Sequence, residues 1–160
     1  MIRRKLLMAI AIIASVVTTG CSDMTAPKTV VSGEFLSASA ERSGELRVRK
    51  DCSKYTGQAG DYCTIKFSNL KEIEVGSRIT YASDAVGTSL DTDIILDPPG
   101  PGNARALGHC RLNLATGVGR CRLSGGTGRF TRLHARVAVS HLRGPVYGWK
   151  GTYYFDPPRD

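Results

Sequence analysis

Several features that point quickly to a function are missing from this chain. No window beyond the first twenty residues carries an i, i+3, i+4 apolar stripe, which argues against amphipathic helices. The longest uncharged apolar run, Leu6 to Val17, has twelve residues, short of the roughly 20 that a membrane-spanning helix needs. There is no C-x-x-C pair, no Gly-Lys-Ser/Thr phosphate loop, and no legible Ser-His-Asp or Cys-His arrangement. The 160 residues are too few for a (β/α)₈ barrel of typical size or for a nucleotide-binding enzyme with a separate substrate domain. Aromatics make up only 7% of the chain, with one Trp. Between Pro98 and Phe155 there is no acidic residue.

That last absence dominates the charge distribution. Residues 98–155 carry eight Arg and one Lys, and all three His (109, 134 and 141) fall there. Residues 22–97 carry 9 Lys/Arg against 12 Asp/Glu, a net −3. A half-chain this basic suits an anionic partner: lipid headgroups, lipopolysaccharide or an acidic protein. The bland alternative is that the two halves pair with each other across one domain. At 41% hydrophobic and 22% charged the composition is that of one globular domain.

Residues 1–20 read as an export signal, with Arg3, Arg4 and Lys5 as the positive n-region. The run ends in Val17-Thr18-Thr19-Gly20-Cys21, which resembles a bacterial lipobox; this implies lipidation of Cys21 after cleavage, although Thr18 departs from the usual aliphatic residue. An ordinary signal peptide cut near Cys21 is the alternative. Export makes nucleic acid an unexpected partner and a membrane, through the lipid anchor, an expected one. Ser22, rather than Asp, after Cys21 resembles lipoproteins sorted to the outer membrane, which implies a periplasm-facing protein. Residues 21–34, with Ala26-Pro27-Lys28 and no apolar periodicity, read as a tether; residues 35–156 read as the domain and 157–160 as a tail.

Setting Cys21 aside leaves Cys52, Cys63, Cys110 and Cys121, an even number suited to disulfides in an oxidising compartment. The spacing favours Cys52–Cys63 and Cys110–Cys121, each enclosing ten residues. Zinc is the rival, since His109 adjoins Cys110, but without a short Cys pair no metal or other cofactor is expected.

The domain alternates like strands, eight or nine of them at a spacing that suggests a barrel or a sandwich. Leu46 and Val48 alternate with Arg47 and Arg49. Cys63, Ile65 and Phe67 share a face, and Ile73, Val75, Ile79 and Tyr81 suggest a strand bent at Gly76-Ser77. Ile94-Ile95-Leu96 is closed by the Pro/Gly cluster 98–102. Residues 110–123 read as a hairpin turning at Ala115-Thr116-Gly117, with Cys110 opposite Cys121 and with Arg111, Arg120 and Arg122 on the other face as a candidate anion-binding surface. Leu133, Ala135, Val137 and Val139 form a further strand. Tyr147, Trp149, Tyr153 and Phe155 form an aromatic face that either lines a ligand cavity or packs a closed barrel.

The segment Ser124-Gly125-Gly126-Thr127-Gly128-Arg129-Phe130 reads as a tight connection needing positive φ at Gly. Together with the preceding hairpin and the ending Trp149-Lys150-Gly151-Thr152-Tyr153-Tyr154-Phe155, it resembles the allene oxide cyclase/dirigent barrel superfamily, departing from it at Thr131-Arg132-Leu133-His134. The resemblance implies an eight-stranded up-and-down barrel with an apolar cavity, and it carries over no catalytic residue. Asp91, Asp93 and Asp97 share one parity but lack the Gly and terminal Glu of a calcium loop, so a solvated strand edge is the simpler reading. His134 and His141 are the candidates for acid–base work.

The expectation is an all-β single barrel of about eight antiparallel strands, held by two disulfides and tethered at Cys21. The leading functional expectation is a non-enzymatic envelope lipoprotein that binds a hydrophobic small molecule or lipid in the barrel. The alternative is an interaction module meeting an anionic envelope component through its Arg-rich surface; the third is an isomerase or cyclase. No feature of the sequence sets an oligomeric state.

Overall fold

A computed structural model describes residues 42–158; the export signal, Cys21, the whole tether and residues 35–41 of the expected domain lie outside them. The backbone forms eight strands: β1 Ser43–Lys54, β2 Tyr62–Ser68, β3 Arg78–Tyr81, β4 Ser89–Asp97, β5 Ala106–Asn113, β6 Val118–Gly126, β7 Leu133–Arg143 and β8 Val146–Phe155. Each pairs antiparallel with the next, and β1 closes the ring on β8, with Val48 opposite Trp149 and Ser43 opposite Tyr154. This is the all-β barrel of about eight antiparallel strands expected from the alternation and the family resemblance together. Closure leaves no free sheet edge.

Period-two patterning fills the interior. Leu46, Val48 and Cys52 of β1 point inward, as do Leu90, Ile94 and Leu96 of β4 and Leu133, Ala135, Val137 and Val139 of β7. Both expected disulfides form, Cys52–Cys63 linking β1 to β2 and Cys110–Cys121 linking β5 to β6. Cys110 and Cys121 are direct register partners facing inward with Leu112 and Leu123, so Arg111, Arg120 and Arg122 face out.

The two ends of the barrel differ. At one end, Leu70 and Ile73 from the β2–β3 loop and Phe130 from the short 3₁₀ turn Gly128–Phe130 are buried as a plug. Gly125 (φ 106°) and Gly128 (φ 59°) take the left-handed conformation that this connection requires. At the other end, the loops after β1 and β3 meet, with Ala85 N–H donating to Gly57 O at 2.8 Å.

Two local expectations are corrected. A register shift between Arg49 and Lys50 pairs them with Phe67 and Ile65, so Phe67 leaves the parity of Cys63 and Ile65. It lies outside, 40% exposed, with the Arg49 guanidinium 5.1 Å from its ring centre. The strand read through Ile73–Tyr81 is only four residues long. Residues 69–77 are loop instead, with Ile73 in the plug and Val75 exposed, and Gly76 (φ 92°) is the backbone break.

Candidate functional site

The inward position between Val48 and Cys52 on β1 is occupied by Lys50, which is only 1% exposed. Its Nζ donates a 2.7 Å hydrogen bond to Tyr81 Oη. It also sits 4.9 Å from the Trp149 ring centre and 5.4 Å from that of Tyr81. Tyr81 Oη is in turn 3.3 Å from Cys63 Sγ. A disulfide sulfur has no proton, so the phenol is the donor, and the polar chain runs from ammonium to phenol to sulfur. Tyr55, half-buried in the loop after β1, packs on Tyr81 with ring centres 4.9 Å apart.

Among the described residues no carboxylate forms an ion pair with Lys50. Burial disfavours the charged amine and lowers its pKa from 10.5 to about 7. Burial pushes the Tyr81 and Tyr55 phenols up, so both stay protonated and remain able to donate. Trp149 Nε1 and Tyr55 Oη are buried without any hydrogen-bond partner. At this end of the barrel the buried donors therefore outnumber the acceptors that they reach.

The four aromatic residues expected on one face share the inward parity of β8 but not one place. Tyr147 and Trp149 stand at the Lys50 end, whereas Tyr153 and Phe155 lie toward the plugged end, beyond Gly151. Eight residues of strand, at about 3.3 Å each, separate Tyr147 from Phe155. Tyr153 covers Gly44, and Phe155 lies under the Arg42 guanidinium at 4.4 Å. Two recesses, about 310 and 380 Å³, lie along β4–β5 around Asp91 and Arg111, and around Arg78 and the 98–100 loop.

The outer surface carries the second arrangement. Arg111, Arg120 and Arg122 are neighbours, since Arg111 is opposite Arg120 and Arg122 is two residues further along β6. Arg111 is engaged, its Nε 2.9 Å from Asp91 Oδ2. Arg120 and Arg122 form no ion pair among the described residues, and β7 and β8 extend the patch: Arg122 is opposite Arg136, while Arg120 meets Lys150 across Ala138. Charge pairing between the two halves is thus real but local. It joins Arg111 to Asp91, Arg105 to Asp97 and Arg129 to Glu74, and among the described residues no Arg or Lys on β6, β7 or β8 takes part in it.

The other candidates separate. His109 faces outward between Asp91 and Asp93, with Nδ1 2.8 Å from Asp93 Oδ1, while its neighbour Cys110 is bridged inside. Its Nε2 is 2.7 Å from Asp91 Oδ1, but the ring points too far off line for a hydrogen bond. His134 contacts Asp156 at 2.8 Å and stacks on Tyr154; His141 contacts Gly144 O at 2.7 Å. They stand at opposite ends of β7 and do not form one acid–base pair. Lys50 itself was missed from sequence, although the alternation Leu46-Val48-Lys50-Cys52 assigns it to the inner face.

Comparison with protein-family models, curated proteins and solved structures gives no match.

Proposed function

We propose that this chain is an exported envelope lipoprotein, anchored through Cys21, whose barrel presents the outer face of β6–β8 to an anionic envelope component. The carrying observation is the group Arg120, Arg122, Arg136 and Lys150, set on adjacent outer positions without carboxylate partners among the described residues. Like charges directly opposite one another in a sheet are destabilising. A surface that keeps them is better explained by an external anion than by folding. The two disulfides suit an oxidising compartment, and Ser22 after the lipidated cysteine suits the outer membrane. Within this reading the domain is an allene oxide cyclase/dirigent-like barrel, supported by the eight-stranded closure and by the glycine connection at Gly125–Gly128.

Vesicle co-sedimentation tests the proposal. The barrel segment, freed of its anchor by Cys21→Ser, is expected to bind phosphatidylglycerol vesicles and not phosphatidylcholine vesicles. A basic residue near an anionic surface contributes about 1 kcal/mol, so each of Arg122→Gln and Arg136→Gln should weaken binding about fivefold. Raising salt to 1 M shortens the screening length to about 3 Å and should abolish it. Binding that survives high salt, or that ignores both substitutions, would sink the reading.

A further inference from the structure

The interior of the barrel poses a separate problem, independent of the cationic outer face. Lys50 has three N–H donors when protonated and one acceptor, Tyr81 Oη. Two further buried groups at this end of the barrel, Trp149 Nε1 and Tyr55 Oη, have no partner. Buried donors are nearly always satisfied, and a group of unsatisfied ones marks a missing acceptor. Only one of these groups is cationic, so the complement is a monoanion. The indole and phenol rings lie 4.9 and 5.4 Å from the amine, so its immediate surroundings are flat and apolar. A planar group carrying one negative charge and only acceptor atoms meets all of these conditions.

We infer that the Lys50 end of the barrel binds a small monocarboxylate, whose oxygens accept hydrogen bonds from Lys50 Nζ, Trp149 Nε1 and Tyr55 Oη. Entry is past Tyr55, the half-buried ring in the loops at this end; the opposite end is closed by Leu70, Ile73 and Phe130. Binding draws on the protonated amine, so it strengthens as pH falls through neutrality. Around the amine, burial pushes the phenols of Tyr55 and Tyr81 up, Cys52 and Cys63 are bridged, and Tyr147, which packs on the His141 ring, is the β8 register partner of Lys50. Asp61, near Tyr55, is held low by the backbone amides of Gln58 and Thr56 and stays ionised.

The test uses the full chain in detergent, with acetate and hexanoate as probes and chloride at matched ionic strength as control. Trp149 is the sole tryptophan, so its emission reports on this site alone. The expected result is a saturable change whose apparent affinity improves about tenfold from pH 8 to pH 6, as the amine gains its proton. Lys50→Met should lose the response, and Tyr55→Phe should weaken it. In case Lys50→Met fails to fold, the ¹⁵N resonance of the Lys50 amine in the unaltered chain decides. It should shift on adding acetate, while those of exposed Lys54 and Lys66 do not. A response no larger than that of chloride, a response retained in folded Lys50→Met, or an unmoved Lys50 resonance would each overturn the inference.

Discussion

Lys50 is either charged without a counter-ion or neutral, and the two states weigh differently on folding. In the unfolded chain the amine titrates near 10.5; in the barrel burial brings it to about 7. A folded pKa below the unfolded one means that the unfolded state binds the extra proton first. Stability is therefore lowest at and below pH 7 and climbs between pH 7 and 10.5. At about 1.4 kcal/mol per pH unit the penalty at neutrality is bounded by roughly 4 kcal/mol, and the ring faces of Trp149 and Tyr81 reduce it. Lys50→Met is accordingly expected to raise the urea midpoint at pH 7 and to lose that advantage by pH 10. An advantage that did not change with pH would mean that the amine is not desolvated. The alternation of β1 made the inward placement of Lys50 legible. Its neighbours were not, because Tyr81 and Trp149 arrive from β3 and β8 and no local pattern pairs distant strands.

At the scale of strands, the outer rows of β6, β7 and β8 place Arg122 against Arg136 and Arg120 near Lys150. Cross-strand pairs are worth roughly 0.2–1 kcal/mol, with the sign reversed for like charges. Arg136→Glu should thus stabilise the barrel by a few tenths of a kcal/mol or more in low-salt thermal melts, while the same variant loses anionic vesicles. A destabilised Arg136→Glu would show that the arginines contribute to the fold in some other way. Which residues face outward was readable from parity alone, as with Arg111, Arg120 and Arg122. How far the patch runs was not, because Arg136 and Lys150 join it through register and Arg111 leaves it through Asp91. Parity failed where the backbone breaks step, at the Arg49/Lys50 register shift that turns Phe67 out and at Gly76, where a presumed strand becomes the plug loop. A single extra residue in a ladder reverses every face beyond it, and composition does not announce where it falls.

For the whole molecule, the all-β class and both disulfides followed from alternation, turn residues and cysteine spacing, while the count of eight and the up-and-down order came with the family resemblance. The closure of β1 on β8 is a long-range fact that only the assumption of a barrel anticipates. It sets Ser43 beside Tyr154, so the two ends of the described chain lie side by side. Every strand then has two neighbours, which leaves the ring of strands without a preferred point of interruption. Joining residue 158 to residue 42 through a short glycine linker and opening the chain within 98–102 is expected to yield a circular permutant with the same near- and far-ultraviolet circular dichroism. The Pro/Gly loop chosen as the new terminus lies at the plugged end, away from Lys50 and from the disulfides. In that permutant the order of synthesis would begin in the arginine-rich strands and end in the acidic one. The barrel would be assembled from the opposite sector of the same circle.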